Sequence, residues 1–98
     1  MLVAAAGTHA GDLSATREAE LVRLVRQDCG SCHGMTLRGG LGPPLTPAAL
    51  ADKPSPMLAA TILHGRPGTA MPPWRPFLTD READWIVVQL KRGLGDAR

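Results

Sequence analysis

The stretch Cys29-Gly30-Ser31-Cys32-His33 constrains this chain more than any other, because two thiols three positions apart with a histidine directly after them leave few chemistries open. Cys-x-x-Cys-His is the attachment signature of a c-type haem. The spacing has a physical reason: the thiols add to the two vinyl groups along one porphyrin edge, and the adjoining His33 then reaches the iron from the proximal side. A thioredoxin-like redox pair would need a surrounding βαβ pattern, and half a zinc site would need a further Cys or His pair at zinc spacing. Neither context is present. A disulfide across so short a ring removes little unfolded-state entropy and strains the native geometry. The expected cofactor is therefore one haem c, bound covalently through Cys29 and Cys32.

With 98 residues the chain makes one domain, at the small end of what folds alone. Chains of that size often need an extra staple, which the covalent haem supplies. Trp74, Trp85 and Phe77 are the whole aromatic set, so a porphyrin ring fills the centre that large apolar side chains would otherwise occupy. A formal charge of +2, without any Lys/Arg run or basic stripe, argues against nucleic acid. Two haem propionates bring the holoprotein near neutrality, leaving partner choice to local patches. Arg38, Arg66 and Arg75 lie in Gly/Pro-rich segments and are candidates, although ordinary solvated arginines are an equally good reading of each. No apolar run reaches the roughly 18 to 20 residues of a membrane span. Residues 1–13 contain Leu2-Val3-Ala4-Ala5-Ala6 without a basic n-region, and are expected to be a disordered tail or a signal-peptide remnant. The folded domain is expected to cover 14–95.

Along that domain no strand pattern survives, and the reading is all-α. Ser14 or Thr16 can cap a helix running to about Asp28, with Glu18 and Glu20 at its positive end and Leu21, Leu24, Val25 and Asp28 on one stripe. The segment from Gly34 to Leu45 is too rich in Gly and Pro for a long helix and reads as a loop along one haem edge. Thr46-Pro47 and Ser55-Pro56 each look like a cap followed by proline at the first helical position. They predict short helices over about Pro47 to Asp52 and Pro56 to His64, the second stopping at Gly65 and walling the haem pocket with Leu58, Ile62 and Leu63. The segment from Gly65 to Pro76 holds four prolines and must pack on something to be ordered. Thr79 with Glu82 forms a capping box for a last helix through Trp85, Ile86, Val88 and Leu90 to Gly93, after which Asp96 to Arg98 should fray.

If His33 holds one face of the iron, the opposite ligand decides the function. Met35 is two residues from His33 and cannot cross to the far face, Met57 sits just inside a helix, and His9 lies in the expected tail. Met71 stands in a Thr-Ala-Met-Pro-Pro run that fixes the backbone around a soft thioether, which suits low-spin iron and raises the reduction potential when paired with histidine. His64 is the reserve candidate. A metal-bound histidine usually donates its other ring N–H to a carbonyl, and Gly42-Pro43-Pro44-Leu45 is well placed to offer one.

These residues resemble the class I cytochromes c, over about Ala15 to Gly93. In that family a helix precedes Cys-x-x-Cys-His, a Gly-Pro-x-Leu segment supplies the carbonyl for the proximal histidine, and a later Met-Pro gives the distal ligand. The resemblance thus implies roles for Cys29, Cys32, His33, Pro43 and Met71, and it implies a class I cytochrome c fold around one haem. The family's last helix often carries an aromatic just before a leucine; here Gln89 precedes Leu90 and Trp85 comes one turn earlier, so the crossing of first and last helices is expected to pack differently. The runs Gly39-Gly40-Leu41-Gly42-Pro43 and Ala60 to Trp74 are similar more narrowly to the NirC family, small monohaem cytochromes encoded beside the haem c and haem d nitrite reductase of denitrifying bacteria. That likeness implies a periplasmic protein and adds Trp74 to the cofactor-binding set, with His33 and Met71 on the metal.

Three functions follow. The first is a periplasmic electron carrier with no chemistry of its own, a monomer that donates to the nitrite reductase; six-coordinate iron leaves no position for oxygen, peroxide or nitrite. The second is a redox helper in haem d maturation. The third is a ligand-binding or peroxidatic haem protein in which Met71 is labile and His64 acts nearby. The strained Gly65 to Pro76 segment also allows a domain-swapped dimer.

Overall fold

A computed structural model describes residues 13–94. The expected tail or signal remnant, with His9 in it, and the fraying end at Asp96 to Arg98 lie outside the described residues, except that Leu13 is partly buried against the core. Among the described residues every regular element is helical, and no helix is long and apolar enough to cross a membrane.

Helix α1 spans Ala15–Leu24. Of the two possible caps it uses Ser14, whose hydroxyl accepts from the Arg17 N–H at 3.0 Å. The helix does not stop near Asp28. It widens into a π-helical turn over Val25–Cys29, in which the Gly30 N–H reaches back to the Val25 carbonyl, and then continues as α2 over Gly30–His33. One helical run therefore carries both thiols and the imidazole. Leu21 and Val25 are fully buried, while the wider turn swings Asp28 off their stripe and into solvent.

The loop 34–46 follows, and α3 occupies Pro47–Leu50, capped by the Thr46 hydroxyl on the Ala49 N–H at 3.2 Å. It is shorter than expected, and Ala51 and Asp52 form a turn instead. Helix α4 covers Ser55–His64. Ser55 is its first helical residue and not its cap. Pro54, extended at φ −62° and ψ 134°, stands outside the helix and makes no side-chain cap bond, so two prolines flanking Ser55 set the entry that a serine hydroxyl was expected to set. Helix α5 spans Asp80–Lys91 behind the expected box: the Thr79 hydroxyl accepts from the Glu82 N–H at 3.1 Å, and the Glu82 carboxylate accepts from the Thr79 N–H at 3.0 Å.

Helix α5 packs on α4, α3 and α1. The core joins Leu21 and Val25 to Ala59 and Leu63 of α4 and to Ala83, Ile86, Val87 and Leu90 of α5, with Trp85 partly buried at its margin. Each such large aliphatic side chain contributes about 1.5–3 kcal/mol on burial. Across the α1/α5 contact, the Arg17 guanidinium grips Glu82 with Nε at 2.6 Å from Oε2 and Nη2 at 3.2 Å from Oε1, and Nη2 also donates to the Phe77 carbonyl at 3.2 Å. The guanidinium holds the Glu82 carboxyl below the usual carboxylate range, against the opposing effect of burial.

Candidate haem site

Cys29 and Cys32 are free thiols, both half-buried, one in the π-helical turn and the other in α2. Cys29 packs against the core. Burial, helped by the negative charge of Asp28 and by Cys32, pushes its pKa up to about 11, so at neutral pH the thiol keeps its proton. Cys29 and Cys32 would hold a haem c through thioether bonds, one S–H added across each of two vinyl groups, which needs no oxidant. The Ser31 hydroxyl turns back to the Asp28 carbonyl at 2.8 Å and also lies 3.9 Å from Cys32 Sγ.

The loop 34–46 is wound onto this helix end. Gly34, at φ +95°, turns the chain out of α2. The Gly42 N–H donates to the Cys32 carbonyl at 2.7 Å, the Gly39 N–H to the His33 carbonyl at 2.8 Å, and the Leu45 N–H to the Leu37 carbonyl at 2.8 Å. Leu37 adopts φ +63°, an uncommon conformation for leucine, and its side chain is 1% exposed. Burial of that side chain offsets the backbone strain.

His33 Nδ1 lies 2.7 Å from the Pro43 carbonyl oxygen. A carbonyl only accepts, so Nδ1 carries the ring proton and Nε2 keeps its lone pair for a metal. Gly42 makes this contact possible. A Cβ there would stand 2.7 Å from both Nδ1 and Cε1 of the imidazole. The two unbridged thiols and the oriented imidazole are the donor set that haem c requires, and among the described residues no group of three or more His, Cys, Asp or Glu could hold a bare metal ion instead.

Met71 and Trp74 lie in the second loop, 65–79. It is tied to α4 by the Trp74 N–H on the Ile62 carbonyl and the Arg75 N–H on the Leu63 carbonyl, both at 3.0 Å, and closed on itself by the Arg66 N–H on the Met71 carbonyl at 3.2 Å. Met71 is half-buried. Trp74 packs partly buried against the core, its ring centroid 5.8 Å from that of Phe77 at an interplanar angle of 60°. His64 is exposed and lines a groove of about 260 Å³ with Arg75, Asp80 and Asp84. None of those neighbours belongs to the Cys29 to His33 motif. Arg75 is engaged there by Asp80 at 2.8 Å.

The structure thus brings Cys32, His33 and Pro43 together, fastens Trp74 to the end of α4, and holds Met71 in the turn between Trp74 and that helix. Sequence reasoning missed three contributors: Arg17, Leu37 and the close approach of Gly42. Only Gly42, between a glycine-rich run and two prolines, stood in a stretch that signalled tight backbone packing.

A family model described as "Cytochrome C oxidase, cbb3-type, subunit III" matches residues 16–88. Cytochrome c55X of Paracoccus denitrificans is 58% identical over 91 residues, which are 92% of this chain and 88% of that protein. The solved structure of the c-type cytochrome NirC superposes with a TM-score of 0.80 at 54% identity, covering 82% of this chain and 94% of that one. A dihydro-heme d1 dehydrogenase of Pseudomonas aeruginosa is 40% identical over 86 residues, 88% of this chain but 17% of that larger protein. Identity of this order, over an all-helical domain that bears the attachment motif, settles the kinship: the chain belongs to the family of that cbb3-type subunit III model, as a small monohaem c-type cytochrome similar to NirC and cytochrome c55X, an electron carrier rather than an enzyme.

Proposed function

We propose that this chain is a periplasmic one-electron carrier that holds one haem c through Cys29 and Cys32, ligates it through His33 and Met71, and donates electrons to the haem c/haem d nitrite reductase of denitrification. The observation that carries this reading is the 2.7 Å contact between His33 Nδ1 and the Pro43 carbonyl. It fixes the imidazole tautomer, its orientation and its basicity before any metal arrives. Bound haem c supplies the one-electron ferric/ferrous couple. The chain's own part is to hold the two axial side chains unchanged in both oxidation states, which keeps reorganisation small. Pro72 and Pro73, followed by the bonds of Trp74 and Arg75 to α4, limit the backbone after Met71, and the turn closed by the Arg66 N–H on the Met71 carbonyl limits it before.

Two measurements test the reading. The ferric holoprotein should show the weak red absorption band of sulfur-bound iron and lose it in Met71→Ala; a parent without the band returns His64 or an open site to consideration. Reduced protein mixed with nitrite reductase and nitrite at micromolar concentrations should be reoxidised rapidly. No transfer there rejects that partner.

The likeness to a dihydro-heme d1 dehydrogenase supports a second reading, a redox helper in haem d maturation. A deletion strain would then make nitrite reductase lacking haem d. Fully loaded enzyme in that strain would sink it.

A further inference from the structure

The turn that presents Met71 is closed by one side chain. The Thr69 hydroxyl donates to the Arg66 carbonyl at 2.7 Å and accepts from the Met71 N–H at 3.3 Å. A hydroxyl has one proton to give and lone pairs to receive, so both bonds form at once. Around it the backbone has few alternatives. Pro67, Pro72 and Pro73 have no N–H to donate, and the turn's own main-chain bonds are Thr69 N–H to Arg66 C=O at 3.0 Å and Arg66 N–H to Met71 C=O at 3.2 Å. The Thr69 hydroxyl therefore stitches both ends of the turn to each other at the residue whose sulfur is to meet the iron.

We infer that Thr69 is a positioning residue for Met71: its hydroxyl holds the 66–71 turn closed and thereby keeps the thioether on the iron against competing ligands. The inference rests on the reading of Met71 as the distal ligand. Thr69 is exposed, so loss of its hydroxyl should open the turn without unfolding the domain. Opening the turn frees the iron's sixth position to an added ligand, and imidazole is a suitable probe.

The experiment compares imidazole affinity and the red band in ferric, haem-loaded parent, Thr69→Val, Thr69→Ser and Met71→Ala, with urea unfolding of each. Thr69→Val should bind imidazole about tenfold more tightly than the parent, the size expected for one lost hydrogen bond, with a fall in urea stability no larger than that one bond. Thr69→Ser, which restores both bonds, should return to the parent affinity. Equal affinity in Thr69→Val and the parent, beside band loss in Met71→Ala, overturns the inference alone. So does a tightening that Thr69→Ser fails to reverse, or one accompanied by a fall in stability well beyond that bond, which would mark a general loosening of the domain. Retention of the band in Met71→Ala overturns the ligand reading and this inference with it.

Discussion

The two loops rich in proline and glycine differ in what they are fastened to. The loop 34–46 is bonded back onto the helix end from which it has just emerged, through the Cys32 and His33 carbonyls and the His33 ring. The loop 65–79 is also bonded to the helix it leaves, α4, through the Ile62 and Leu63 carbonyls, but in addition it is held from afar, by the Arg17 guanidinium of α1 on the Phe77 carbonyl. The surroundings of His33 are thus a local unit, complete within a short stretch of chain. The loop that carries Met71 has one tie that needs tertiary packing, Arg17 of α1, itself gripped by Glu82 of α5. Under the proposed ligation, the Met71 side is the more sensitive to anything that loosens tertiary structure.

Breaking the distal anchor should have the largest effect. Gly65 stands at φ +71°, and a Cβ there would lie 2.8 Å from both the Met71 carbonyl oxygen and the Pro72 carbonyl carbon. Gly65→Ala combines left-handed strain with a backbone overlap and should cost about 3 kcal/mol in urea unfolding of the holoprotein. Gly42→Ala meets a ring and not a backbone, at a φ that any residue adopts, and should cost about 2 kcal/mol. It should also shift the reduction potential, because the displaced imidazole is the part that moves. If Gly42→Ala proved the more damaging of the two, the contrast drawn between the loops would be reversed.

Arg17→Met removes the latch between α1 and the 65–79 loop and leaves Glu82 with its cap alone, at about 1.5 kcal/mol. Its pH signature is specific. The Glu82 carboxyl titrates below its ordinary value in the folded chain, so the stabilisation is fully present above the usual carboxylate pKa of about 4.3 and is lost as pH falls through the lowered folded value. Urea midpoints followed into acid should fall more steeply for the parent than for Arg17→Met. Pro43→Ala should do least, about 0.5 kcal/mol, since the acceptor for His33 is a main-chain carbonyl that alanine also carries and only unfolded-state stiffness changes. A loss of the His33 orientation in that variant would show that the proximal unit depends on proline itself.

What the sequence disclosed follows the same division. The attachment motif, the carbonyl partner for His33, the Thr46 cap and the Thr79/Glu82 box are local chemistry written in neighbouring residues, and all were legible. The π-helical turn was not, because its five residues differ from an α-helix only in which carbonyl each N–H reaches. Ser55 misled because a serine before a proline looks like a cap whatever precedes it, and here Pro54 had already set the entry. Leu37 at positive φ was invisible since nothing in a leucine predicts that conformation until its burial is known. Glu82 was read as a capping residue only; its second partner, Arg17, lies 65 positions away, beyond any periodicity.

That shared carboxylate ties two contacts into one. Glu82 receives Arg17 on both carboxylate oxygens, and with one of them it folds back on Thr79, so the first turn of α5 and the seam between α1 and α5 are energetically coupled. Whatever frays the start of the last helix is therefore felt by the first, although 65 positions separate the two partners.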